Sequence, residues 1–264
     1  MRDKLDVEEK LKLHLKYIQN QRQQIENLRG RLERMESMWE HCISDPEIKW
    51  LFQNRSERMD PTLPIFDPGR AEFHLDRYRF AAERVQSLMV ADIACGTGYG
   101  TELLKERGGA QSVTGIDICP DAVNYATKKH APDGVRYFCA SGDATGIESN
   151  SLDAITSFET IEHVDCDVKL LVEFARILKP GGLLICSTPN MWPLEIAPHH
   201  VRVYDRDSFR SVLEADFESI ELYNQNSGTT FQFNRDQERG IHPTTNENHE
   251  LAECFLAVAR KKAA

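Results

Sequence analysis

The run SFETIEHV packs two carboxylates and an imidazole into one short stretch. Glu159, Glu162 and His163 stand at i, i+3 and i+4, so a helical turn would put them on one face. A second pair, His199 and His200 in APHHVRVYD, follows the next strand. Two carboxylates and two imidazoles suit two kinds of chemistry. They can hold a hard or borderline divalent cation. Alternatively, a histidine can take the proton of a hydroxyl acceptor, which is a poor nucleophile near neutral pH and needs a base or a metal. The plainer alternative makes Glu162 a solvated helix residue and one histidine a metal-free base.

A second constellation is ADIACGTGYG, placed where a strand turns into a helix. Gly96 and Gly98 let the backbone approach a ligand that any Cβ would obstruct. Asp117 ends the next strand, where an acid can accept from both hydroxyls of a ribose. Asp143 follows the third strand in SGDAT, where a carboxylate can accept from an adenine amine. A dinucleotide-dependent oxidoreductase would carry GxGxxG. The spacing GTGYG does not fit it.

Elements must hold these residues at one edge. From Ala71 onward, helix FHLDRYRFAAERVQSL leads into strands MVADIAC, SVTGIDI, VRYFCA, LDAITSF and LLICSTP. Between them lie helices YGTELLKER, PDAVNYATKKHA and DVKLLVEFARILK, and DRDSFRSVLEA follows the last. Such alternation means crossover units and a mainly parallel sheet. Two further strands, FESIELYNQ and LAECFLAVARK, are separated only by the polar stretch 226–250. Without a crossover they are expected to pair antiparallel. The prediction is a Rossmann-like α/β fold: seven strands, mostly parallel, with an antiparallel last strand, preceded by an N-terminal helix. Residues 226–250 are read as a loop that contacts the acceptor or is mobile.

With these motifs in order, the chain resembles the class I S-adenosylmethionine-dependent methyltransferases from Ala71 onward. The motifs that carry the resemblance are DIACGTG, Asp117, Asp143, SFETIEHV and LKPGGLLICSTPN. The resemblance implies S-adenosylmethionine as cofactor. The turn at Gly96 and Gly98 would hold its methionine end, Asp117 its ribose and Asp143 its adenine. Asp92, Ala94, Cys95, Ile118, Ala144 and Phe158 would line the same site. The family's first loop glycine is Ala94 here. HLDRYRFA is similar to a helix that closes over the cofactor in a subset of the family, which would bring Arg77 or Tyr78 to the methionine end. The ExxEH run followed by a later histidine is similar to the metal-binding pattern of small-RNA 3′-end 2′-O-methyltransferases. It also resembles that of ubiquinone-pathway O-methyltransferases. Carried over, the metal ligands are Glu159, Glu162, His163 and His200, with His199 as a substitute. Magnesium or manganese is then expected before zinc. The catalytic candidates are His163, His200 and Glu159. Trp192 in PNMWP is read either as a wall of the acceptor pocket or as a packed anchor.

The motif set also resembles methyltransferases of bacterial polysaccharide and glycolipid assembly. The leading expectation is therefore an O-methyltransferase acting on a hydroxyl of a sugar, glycan or activated sugar. The alternatives are a phenolic or quinone precursor, an RNA 3′ end, or a non-catalytic coiled-coil scaffold that binds the cofactor. With 32 Lys+Arg against 42 Asp+Glu, a net charge of −10 disfavours nucleic acid. No apolar run is long enough to span a membrane. Seven scattered cysteines without CxxC read as reduced thiols in a cytoplasm.

Upstream lies a different pattern. Leu11, Ile18, Ile25, Leu32 and Trp39 recur every seventh residue. Such a repeat buries a narrow seam against a partner helix. The division expected is 1–42 a coiled-coil helix that makes a homo-oligomer, 43–70 a linker rich in proline, and 71–264 the methyltransferase domain. The alternative for the helix is packing on its own catalytic domain.

Overall fold

A computed structural model describes residues 7–55, 58–192, 194, 197, 199–228 and 238–263. The chain divides into two units. One holds Met1–Arg55 with Leu63–Phe66, and the other holds Ser56–Thr62 with Asp67–Ala264.

In the first unit, α1 (Val7–Ser44) is followed by α2 (Pro46–Gln53). Asp45 separates them because its side chain accepts from the Glu47 N–H at 3.0 Å and Pro46 opens the next helix. The heptad residues Leu11, Ile18, Ile25, Leu32 and Trp39 are 45–68 % exposed in the single chain.

The second unit is a sheet with helices on both faces. α3 (Pro68–Ala82) is capped by Asp67, which accepts from the Arg70 N–H at 3.0 Å. There follow β1 (Met89–Ile93), α4 (Tyr99–Glu106), β2 (Ser112–Asp117), α5 (Pro120–Lys129), β3 (Val135–Cys139) and β4 (Leu152–Phe158). Then come α6 (Asp167–Ile177), β5 (Leu178–Pro189), α7 (Arg206–Leu213), β6 (Phe217–Asn226), β7 (Gly240–Pro243) and β8 (Cys254–Lys261). The strand order is β3-β2-β1-β4-β5-β8-β6-β7. Strands β1 to β5 pair in parallel, and β8 lies between β5 and β6, antiparallel to both.

The expected antiparallel pairing of the last two strands therefore holds. The strand number does not, since the sheet has eight strands and not seven. The added one, β7, lies inside the stretch read as loop. Gly240-Ile-His-Pro243 has no alternation to betray it. It exists because its backbone pairs with Tyr223–Asn226 at the sheet edge.

Alternate side chains along the strands feed two apolar layers. Val90, Val113, Ala154 and Ile185 pack with Tyr78, Ala81 and Leu104 of α3 and α4. Ala91, Ile93, Ile155 and Leu184 pack with Leu170, Phe174, Phe209 and Leu213 of α6 and α7. Both layers leave the carboxyl ends of β1, β2, β4 and β5 at one edge, where ligands bind in such sheets.

Candidate active site

The turn after β1 is held by backbone conformation. Ala94, Gly96 and Gly98 all have positive φ, at 63°, 57° and 89°. Gly98 caps α4, and a Cβ there would meet the Ala126 Cβ at 2.6 Å. Ala94 is the position where the resembling family has glycine, and its left-handed backbone gives the reason.

Asp92 and Tyr78, expected among the cofactor contacts, have their polar atoms engaged within the fold. The Asp92 carboxylate accepts from Thr101 Oγ1 at 2.7 Å, Thr156 Oγ1 at 2.8 Å and Tyr78 Oη at 3.3 Å. Burial pushes its pKa up to about 6, against the opposing effect of those hydroxyls. The Tyr78 ring fills the space of a Gly100 side chain, where a Cβ would lie 2.0 Å away. Phe158 packs edge-on against it, with ring centroids 4.9 Å apart. Cys95 is buried, with its sulfur 3.1 Å from where a Gly115 Cβ would stand. These four residues brace the turn.

The carboxyl ends of β2 and β3 carry the residues expected at the ribose and adenine. Asp117 accepts from the N–H groups of Gly96 and Cys119, each at 2.9 Å. Its two oxygens also accept from the Arg58 guanidinium at 2.9 and 3.2 Å. Ile118, Asp143 and Ala144 are exposed, and the Ser141 hydroxyl donates to Asp143.

After β4 the chain forms turns, so the shared helical face does not exist. Glu159 takes φ 51°, outside the helical region. Its carboxylate accepts from Ser187 Oγ at 2.9 Å and lies 3.6 Å from the Arg77 guanidinium. Arg77 is itself buried, and its Nε donates to Gln225 at 2.6 Å. Glu159 and Arg77 face each other, and Glu159 is not among the ligand atoms that gather around Glu162.

Glu162, His163 and His200 do come together, with ligand atoms all within 4.8 Å of one another. The Val201 N–H donates to Glu162 O at 2.9 Å and ties the two loops. Glu162 is 1 % exposed, and its Oε1 has no hydrogen-bond partner. Burial, with Glu159 nearby, drives its carboxyl well above the usual range. His163 Nδ1 lies 3.0 Å from the His199 carbonyl. A carbonyl only accepts, so Nδ1 carries a proton, and in the neutral ring the lone pair lies on Nε2. That Nε2 is 3.9 Å from the orphaned Glu162 oxygen. The His200 ring stands edge-on to His163 at 4.7 Å, and burial together with that neighbour lowers its pKa. His199 contributes its backbone here, where its side chain was the expected substitute ligand.

A cavity of about 430 Å³ opens beyond β5, lined among others by Asn190, Trp192, Asp205, His249 and Glu253. Trp192 donates to the Glu253 carbonyl at 3.1 Å, so it is an anchor as well as a wall.

Sequence reasoning missed Arg58, Asp60 and His130. They are isolated in a proline-rich stretch and at a helix end, and only the tertiary fold brings them to Asp117 and the turn.

Residues 91–186 match the family model described as a methyltransferase domain. Residues 91–186 thus carry a methyltransferase domain on the α/β methyltransferase fold. The ubiquinone biosynthesis O-methyltransferase of Xanthomonas axonopodis pv. citri (strain 306) is 36 % identical over 138 residues, covering 51 % of this chain and 55 % of the relative. The chain thus spans about half the length of the curated relatives it matches. The methyltransferase solved with the Trm112 activator of Haloferax volcanii shares the fold with a TM-score of 0.59 and 20 % identity, over 75 % of this chain and 93 % of that one. Phosphoethanolamine N-methyltransferase 2 of Haemonchus contortus, solved with S-adenosyl-L-methionine, gives 0.54 and 18 % identity over 72 % and 52 %. These structures speak for the fold of the domain.

Proposed function

We propose that the chain transfers the methyl group of S-adenosylmethionine to a phenolic hydroxyl that has an oxygen neighbour. The observation that carries this reading is the Glu162, His163 and His200 cluster with its unpartnered buried oxygen. The relatives named ubiquinone biosynthesis O-methyltransferase support a phenolic or quinone-precursor acceptor. They do not support the sugar or glycan acceptor that led the sequence expectation.

The turn at Gly96 and Gly98 holds the methionine end of the cofactor, Asp117 the ribose and Asp143 the adenine, with Ile118 offering an apolar face. The donor set fits a divalent cation: one buried carboxylate oxygen lacks a partner, and one imidazole is fixed in the ligating tautomer. With Glu159 turned to Arg77, one carboxylate and two imidazoles remain. That moves the preference from magnesium toward manganese or zinc. A cation held by Glu162, His163 and His200 would lower the pKa of an acceptor hydroxyl. The His199 carbonyl orients His163. Arg77 and Ser187 keep Glu159 out of the cluster and fixed beside it.

Two further readings accompany this one. The exposed heptad stripe of α1 supports self-association with a second copy of the helix, since a seven-residue spacing keeps its seam only against another helix. Free thiols at the described cysteines support a reducing compartment such as the cytoplasm. Among the described residues no helix is long and apolar enough to cross a membrane.

The test is a methyl-transfer assay on protein stripped with chelator, using labelled S-adenosylmethionine and a panel of catechols, glycans and sugar nucleotides. Catechol labelling that vanishes with chelator and returns with manganese or zinc is the expected result. Labelling of the sugars overturns the acceptor. Activity indifferent to chelator overturns the cation.

A further inference from the structure

Arg58 to Thr62 forms a strap attached to the cofactor turn. Thr97 Oγ1, from the turn, donates to the Met59 carbonyl at 2.6 Å. Asp60 is 1 % exposed and gathers four donors: Thr62 N at 2.9 Å, Thr62 Oγ1 at 2.6 Å, Tyr125 Oη at 2.8 Å and His130 Nε2 at 2.8 Å. His130 in turn reaches Glu102 of α4 through Nδ1 at 2.6 Å. The strap is thus fixed at Met59 and Asp60 without help from Arg58.

Arg58 itself forks onto Asp117. A carboxylate has about four acceptor positions. Asp117 spends two on the Gly96 and Cys119 N–H groups and two on Arg58. The first two donors belong to the backbone of the turns and cannot leave without unmaking them. Binding the two hydroxyls of a ribose requires two positions on the same carboxylate. None is available while the guanidinium stays. The Asp117 side chain is 2 % exposed and that of Arg58 is 23 % exposed. A buried carboxylate left unpaired is costly, so Arg58 serves as its partner when no cofactor is bound.

We infer that Arg58 is a built-in competitor for the ribose site, and that the cofactor binds by displacing its guanidinium from Asp117. This rests on the cofactor assignment made for Asp117 above. The strap then acts as a gate whose hinge lies between the anchored Met59 and the releasable Arg58 side chain. The affinity measured for the cofactor is the intrinsic one reduced by the fraction of molecules with Asp117 released.

The experiment compares the full chain with Arg58→Met, which keeps length and apolar stem and loses the fork. Calorimetry gives Kd for S-adenosylhomocysteine and S-adenosylmethionine, and stopped flow gives the association rate. Arg58→Met is expected to bind about tenfold more tightly, as loss of a competing charge-assisted pair dictates, and to associate faster. Arg58→Lys, a cation without the fork, is expected to fall between. Equal or weaker binding by Arg58→Met overturns the gate while leaving the cofactor reading intact. Absence of binding to both wild type and a folded Arg58→Met, folding being checked by circular dichroism, overturns the cofactor reading and the gate with it.

Discussion

Glu159 and Glu162 stand three residues apart and meet different electrostatic surroundings. Glu159 faces a buried guanidinium and a serine hydroxyl, while Glu162 faces two imidazoles with one oxygen unsatisfied. Residue type and spacing made both legible as candidates, yet not their separation, because a positive φ at Glu159 turns the chain before any helix can form. Gly96, Gly98 and Asp117 were legible for a different reason. Their positions follow from a strand-to-turn-to-helix pattern that the local sequence enforces. Ala94 belongs to the same turn and pays for its methyl group. An alanine in the left-handed region costs roughly 1–2 kcal/mol, and glycine returns part of that through its freer unfolded chain. Ala94→Gly is therefore expected to stabilise the protein by about 0.5–1 kcal/mol, read as a higher midpoint in urea with an unchanged slope.

At the scale of elements, the helices were the most legible part. Proline or an acid marks several starts, as with Asp67 and Pro68, Pro120, and the Asp205 box with Ser208. The strap was illegible, since its bonds to α5, His130, Asp117 and the turn after β1 link residues far apart in sequence. Those bonds make it sensitive to pH. Burial would lower the pKa of His130, but the hydrogen bonds to Asp60 and Glu102 outweigh it and raise the value. Burial likewise works to raise Asp60, and its bonds to His130 and Thr62 reverse the sign and lower it. Tyr125 and Tyr137 complete the surroundings, giving hydroxyl protons to Asp60 and to the His130 carbonyl. A histidine raised on folding contributes stability below its unfolded pKa, near 6.5, and loses it as pH rises through the folded value. An aspartate lowered on folding contributes above about 3.9 and loses it as pH falls. The contribution of the strap is thus largest between these limits. Denaturation of wild type at pH 5.5 and 8.5 is expected to show a loss at the higher pH that His130→Asn reduces. An equal loss in both proteins would place the effect elsewhere.

On the scale of the whole molecule, the parallel pairing of β1 to β5 was legible from alternation alone. The eighth strand was not, since it depends on an edge pairing with β6. The stripe of α1 gives a direct expectation. The full chain is expected to run as an oligomer in light scattering, and Ile18→Glu with Ile25→Glu to convert it to a monomer with the sheet unit still folded by circular dichroism. A monomeric wild type would leave the stripe without its second copy. The place of β8 has a consequence for how the protein is made. This strand closes at Lys261 and separates β5 from β6. On the ribosome, β1 to β5 emerge first and can assemble as a parallel half, but one edge of that half stays bare until the last strand is released. Over that interval β5 offers an unpaired row of backbone groups and β6 has no neighbour on that side, which is the state most open to wrong pairing or to capture by a chaperone. A translation product that stops before β8 would therefore lack a strand from the middle of its sheet.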